Sequence, residues 1–229
     1  MIYSFNMLEL LQELKEAFKP YQNPKKALEM KAYMKGQFAF LGVNAQDRKL
    51  VLKPLLKELK VVSPSEILTF CALLWEESER EYQHAAVDIL NANAKKLPAD
   101  SMAFIESLIT EKSWWDTVDL IASNAVGILN LKYPKEIKPW IKSAIKSDNF
   151  WMNRTAIIHQ LKYKDKLDTE LLKDSITPHL ANKEFFIQKA IGWALRQHSR
   201  VDSEWVQHFV KEHKITGLAK REALRLLLK

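Results

Sequence analysis

Apolar residues return at helical spacing along almost the whole chain, and nowhere do they alternate over the length a strand needs. From Met7 to Phe18 the repeat runs through Leu8, Leu11, Leu14 and Phe18, and the same period holds over Leu50–Leu59, Ile67–Trp75 and Met102–Ile109. Prolines punctuate these stretches at Lys19-Pro20, Ser63-Pro64, Leu97-Pro98, Tyr133-Pro134 and Thr177-Pro178, where a helix should stop. Ser147-Asp148-Asn149 before Phe150 reads as a helix cap. Five glycines and eight prolines in 229 residues are too few for a turn-rich β architecture or a glycine-rich phosphate loop. The pattern predicts an all-α protein.

Within the helices an alanine-centred motif recurs: QHAAVDIL, SNAVGIL, RTAIIHQL, QKAIGWAL and KREALRLL. Its central alanines, Ala85, Ala125, Ala156, Ala190 and Ala223, stand about 31 to 40 residues apart. Degenerate helix pairs of that length predict a HEAT-like helical-repeat solenoid over residues 1–229, a single domain in which each repeat buries its apolar face on the next. Such a solenoid has a concave surface, where repeat proteins usually bind. An irregular all-α bundle is the alternative.

Charge and cysteine content narrow the function. Lys plus Arg number 35 against 28 Asp plus Glu, a net charge of +7 and a pI near 9.3, which favours polyanionic partners without proving one. The lone cysteine, Cys71, excludes an intramolecular disulfide, a cysteine-based zinc site and a cysteine-held iron–sulfur cluster, and fits a reducing compartment. MIYSFNMLELLQELKEAF is mixed and amphipathic, unlike a signal peptide, and no stretch nears the roughly 18 apolar residues of a membrane span. A cytoplasmic protein is expected. His208 and His213 are badly spaced for a shared helical face, so no metal site is expected. Glu76, Glu77 and Glu79 near Arg80 read as a solvated face.

Three stretches carry candidate site residues. In EKSWWDTVD, set on a helix at about 100° per residue, Trp114, Val118, Ile121 and Ala125 share the buried arc. Trp115 and Asp119 share a flank, with Lys112 and Ser123 beside them. Either the aromatic and the carboxylate work together, or Trp115 covers the core rim and Asp119 pairs with Lys112. In DNFWMNRTAIIHQL, Arg154 intrudes on a stripe of Phe150, Ile157 and Leu161. A guanidinium there needs a partner, either a structural ion pair or a phosphate or carboxylate to recognise. In KEFFIQKAIGWALRQHSR, Phe186, Ile187, Ala190, Ile191, Ala194 and Leu195 form the core arc, and Lys189, Trp193 and Arg196 lie opposite. An aromatic between cations suits a surface that touches sugar and phosphate, although packing on another repeat could also bury it.

These strings, with NPKKALEMKAYMKGQFAFLGV, REYQHAAVDIL and the terminal KREAL, resemble the bacterial alkylpurine DNA glycosylases of the AlkD type over nearly the whole chain. The resemblance implies an all-α HEAT-like repeat fold with a concave basic DNA-binding face. It matches Trp115 and Asp119 to the family's catalytic aromatic and acid, Trp193 to its second aromatic, Arg154 to its active-site arginine, and Tyr33 to a tyrosine near the lesion. Relatives that keep the fold can lack parts of this set, whereas this chain keeps all of it.

The chemistry expected of such a protein is concrete. A purine alkylated at N3 or N7 is already cationic, so the base can leave without protonation. Asp119 would stabilise positive charge growing on the deoxyribose, or position the attacking water. Trp115 and Trp193 would turn ring faces to the cation, each contributing roughly 0.5 to 2 kcal/mol. Arg154 would hold a backbone phosphate, with Lys189, Arg196, Lys35 and Arg48 adding to the grip. No lysine is placed for a Schiff base, so a monofunctional, cofactor-free glycosylase acting as a monomer on duplex DNA is expected. The resemblance also implies that the base stays stacked. A non-catalytic module binding nucleic acid or protein is the alternative.

Overall fold

The computed structural model describes residues 6–227, and the chain divides into two compact units, Met1–Ser101 and Met102–Lys229. No strand forms among the described residues; Ala39 and Glu79 meet only in an isolated bridge. No helix there is long and apolar enough to cross a membrane.

The first unit holds α1 (Met7–Phe18), α2 (Pro24–Tyr33), α3 (Ala45–Glu58), α4 (Pro64–Glu76) and α5 (Arg80–Asn93). Asn6, Asn23 and Asn44 cap the first three, and Ser63 with Glu66 closes a capping box on α4. Pro64 thus begins α4 as well as ending the segment before it. α1 packs on α4, and α3 and α4 pack on α5, around Phe18, Leu52, Leu59, Ile67, Phe70 and Leu90. The α1 stripe is borne out at Leu11, Leu14 and Phe18, whereas Leu8 is exposed.

Of the stretch read as a solvated face, Glu76 is exposed and Glu77 and Glu79 are half-buried, and the correction falls on Arg80. Arg80 is fully buried, its guanidinium 3.7 Å from the centre of the Phe38 ring. Its neighbour Glu81 is buried too, and its carboxylate accepts the backbone N–H groups of Leu41, Gly42 and Val43 at 2.9 to 3.0 Å. A loop about forty residues distant in sequence covers both side chains, and helical periodicity does not see such partners.

The second unit holds α6 (Met102–Thr110), α7 (Trp115–Ile121), a π-helical turn (Ala122–Val126), α8 (Gly127–Lys132), α9 (Pro134–Ile145), α10 (Phe150–Ile158), α11 (Thr169–Ile176), α12 (Phe185–His198), α13 (Ser203–Glu212) and α14 (Gly217–Ala223). α10 is its centre, touching α6, α7, α9, α11 and α12, and every residue from Trp151 to Ile158 is buried. The stripe read for this segment is therefore a helix buried all round. α12 and α14 approach closely at Gly192, where a Cβ would stand 2.4 Å from that of Glu222. All five repeat alanines are buried, as a close helix–helix approach requires.

Candidate active site

α7 starts at Trp115, later than a helix running through Lys112 and Trp114 requires. Trp114 is extended (φ −160°, ψ 162°) and the helix begins at Trp115. Trp114 is thus no rung of the buried stripe. It is half-buried, and its ring meets Trp151 at 5.9 Å and Phe186 at 5.3 Å. Val118, Ile121 and Ala125 do bury fully. Because residues 111–114 are not helical, Lys112 is not held two turns before Asp119, and Asp119 takes a different partner. Trp115 and Asp119 keep their one-turn spacing and are both half-buried.

That partner is Arg154, projecting from α10. Its Nε donates to Asp119 Oδ1 at 2.7 Å and its Nη2 to Oδ2 at 2.8 Å, while Nη1 donates to the Phe186 carbonyl of α12. The guanidinium also lies 5.8 Å from the Phe186 ring centre. Arg154 therefore finds its anion within the chain, and its side chain is only 5% exposed against 14% for Asp119. Three elements, α7, α10 and α12, meet on one charged fork.

Electrostatics within the fork oppose one another. Burial pushes the Asp119 carboxyl above its ordinary range; the Arg154 hydrogen bonds and charge pull it down, and Asp116 adds to the rise. Both carboxyl oxygens accept from donors, the geometry of an ionised group. Aromatic rings crowd the Arg154 side of the pair: Trp114, Phe150, Trp151 and Phe185 each lie within 6.3 Å of Phe186, centre to centre. A carboxylate fixed in direction, partly exposed and backed by apolar rings can stabilise positive charge brought against it.

The α12 cations are also paired. Lys189 Nζ lies 3.0 Å from a Glu222 carboxylate oxygen, and Arg196 Nη1 bonds the other. Trp193, between them in sequence, is half-buried against the second unit's core. Lys189 holds Glu222 below the usual carboxylate range despite some desolvation, with Arg196 helping. In the first unit Arg48 is buried and bonds Asp88 at 3.0 Å, so its charge is spent on a structural pair. Tyr33 and Lys35 are exposed, Lys35 at a left-handed turn (φ 57°) after α2.

Sequence reasoning missed Glu222, the Phe186 carbonyl and the π-turn. The π-turn had a signal: Ser123 and Asn124 each bond back to the carbonyl four residues earlier, at 2.8 and 2.7 Å, which loosens a helix. Among the described residues no group of three His, Cys, Asp or Glu is arranged to hold a metal ion.

A model of the family described as DNA alkylation repair enzyme matches residues 14–227. The fold is similar to that of a solved structure, a predicted DNA alkylation repair enzyme from Enterococcus faecalis, with a TM-score of 0.85. Identity to it is 35%, over 91% of this chain and 97% of that one. None of the curated proteins matches. Given an all-α fold shared at that identity and a family match through both compact units, the chain belongs to the DNA alkylation repair enzyme family.

Proposed function

We propose that this chain is a monofunctional DNA glycosylase that hydrolyses the N-glycosidic bond of N3- and N7-alkylated purines, such as 3-methyladenine and 7-methylguanine, in duplex DNA. It acts as a monomeric cytoplasmic repeat domain without a cofactor and opens base excision repair. Family membership supports a role in repairing alkylated DNA. The observation that carries the finer reading is the Asp119 carboxylate, clamped by two charged hydrogen bonds and still partly exposed beside Trp115.

In this reaction the C1′–N bond breaks with its electron pair passing to the cationic base, which leaves neutral. Positive charge grows on the deoxyribose, where Asp119 stabilises it electrostatically. Water adds to C1′ and loses its proton, leaving an abasic site. Trp115 and Trp193 offer ring faces to the cation. Arg154 acts through Asp119: its fork sets the direction of the carboxylate, and its own charge confines the field to short range. The backbone grip falls to Lys189 and Arg196, exchanging Glu222 for phosphate, and to Tyr33 and Lys35.

The test is release of 7-methylguanine from methylated duplex DNA by wild type and Asp119→Asn, with folding and duplex affinity measured in parallel. The expected result is base release by wild type and loss of about 100-fold or more in a folded, DNA-binding variant. No release by wild type, or equal release by the variant, defeats the assignment.

A further inference from the structure

α12 opens on an aromatic that takes no part in the Asp119–Arg154 fork. Phe185, its first residue, is 56% exposed, whereas Phe186 beside it turns into the ring cluster around Arg154. At about 100° per residue, Lys189 and Arg196 stand within about 40° of Phe185, opposite the core arc of Ile187, Ala190, Ile191 and Ala194. Trp193 lies on this side of the helix too, but it packs against the second unit's core, as Phe150 of α10 does. Phe185 meets the Phe186 ring edge-on at 5.4 Å, and more than half of its surface stays open. It is therefore the ring that faces outward between the cations of α12.

Its place in the repeat adds to this. Trp115, Phe150 and Phe185 are the first residues of α7, α10 and α12, at steps of 35 residues, and Asp119, Arg154 and Lys189 follow them by one turn at the same steps. The three pairs are also neighbours in space. Arg154 bonds Asp119 on one side and the Phe186 carbonyl on the other, and Phe150 stacks on Phe186 at 6.3 Å. Three helices in series thus set an aromatic one turn ahead of a charged group. On α7 that charge is an acid, suited to a cationic sugar; on α12 it is a cation, suited to a phosphate. The charge of the middle pair is spent on Asp119.

We propose that Phe185 is a DNA-binding residue, packing its ring on a deoxyribose at a nucleotide flanking the lesion while Lys189 takes an adjoining phosphate. The inference rests on the reading of this chain as an enzyme that acts on duplex DNA. A strand offers an apolar sugar face between phosphates, the complement of a phenyl ring between cations. One guanidinium links the Asp119 carboxylate to the backbone of Phe186, so the surface is continuous with the fork, yet Phe185 stands beyond Arg154 and away from the reacting sugar. The contact carries no charge and reads no base, so it holds the strand in place whatever the sequence around the lesion.

Duplex affinity of the full chain is measured by fluorescence anisotropy over a range of salt for wild type, Phe185→Ala and Phe185→Trp, with 7-methylguanine release followed at saturating enzyme. Phe185→Ala should weaken binding about tenfold with an unchanged salt slope, because an apolar contact displaces no counterions. Phe185→Trp keeps a ring face and should bind within about threefold of wild type, which separates loss of the ring from damage to the helix start. At saturation Phe185→Ala should release base at the wild-type rate, as expected when only binding is lost. Three results each overturn the proposal: a Phe185→Ala affinity equal to wild type, a loss that comes with a shallower salt slope, or a Phe185→Trp loss as large as that of Phe185→Ala. Wild type that shows the Phe185 dependence but releases no base defeats the glycosylase reading and leaves this contact standing; base release without that dependence does the reverse.

Discussion

Removing one side of the Asp119–Arg154 fork should damage the fold more than removing both sides would suggest. The Arg154 and Asp119 side chains are 5% and 14% exposed, so neither charge is rescued by water when its partner goes. With charge centres about 4 Å apart and an effective dielectric near 20, their attraction is about 4 kcal/mol. Breaking such a pair costs about 3–5 kcal/mol. Asp119→Asn keeps one acceptor and should fall near 3 kcal/mol; Arg154→Met, which strands a buried carboxylate, should reach about 4 kcal/mol. The double variant should be about 3 kcal/mol better than the sum of the singles, read by urea denaturation of all four proteins. The pH dependence has a definite sign. Losing Arg154 removes what pulls Asp119 down and leaves burial to raise it. The native state then holds that proton to higher pH than the unfolded chain does. The Arg154→Met deficit should therefore be smallest at or below about pH 4 and grow as pH rises. Singles that add to the double within about 0.5 kcal/mol would refute the coupling, and a deficit independent of pH would refute the buried carboxylate.

Three further outcomes are expected. Burial lowers the fully enclosed His159 imidazole to about 4, so the stability it lends is present above its ordinary value near 6.5 and lost as pH falls. Between pH 7 and pH 5 the loss should be about 2 kcal/mol by chemical denaturation, and a His159→Leu variant showing the same loss would reject the assignment. Gly192→Ala puts a Cβ 2.4 Å from Glu222 Cβ and 2.9 Å from the Ala219 carbonyl, forcing α12 from α14 at about 1–3 kcal/mol; an unchanged denaturation midpoint would count against that packing. Glu222→Gln frees Lys189 and Arg196, and should tighten binding to undamaged duplex and steepen its salt dependence by about one to two ions in fluorescence anisotropy. Unchanged affinity and slope would remove both cations from the DNA surface.

Readings that rest on neighbours one turn apart survived in the structure. Trp115 and Asp119 keep their shared flank on α7, Asn149 caps α10 through the Trp151 N–H at 2.9 Å, and the repeat alanines are all buried. Those that assumed a helix running straight through EKSWWDTVD did not survive. Trp114 is extended, and the π-turn after Ile121 resets the register that a fixed 100° step carries forward. Partners far apart in sequence were not legible. Arg154 was visible as a charge needing an anion, but the identity of that anion, 35 residues away on α7, was not. Lys189 and Arg196 read as free cations because Glu222 lies a further two helices on, and Arg48 read as one because Asp88 is 40 residues distant.

Sequence by itself determined the all-α class, the helix limits set by proline and caps, and the shared flank of Trp115 and Asp119. Each depends on local periodicity or composition, which the chain carries wherever it folds. Trp193, expected opposite the core arc, packs against the core instead. Tertiary structure alone decided which charges are spent and which remain. It closed Arg154 on Asp119, Glu222 on Lys189 and Arg196, and Asp88 on Arg48. A charge is satisfied through space over a few ångströms, and spacing along the chain cannot report which distant residue folding brings within that reach.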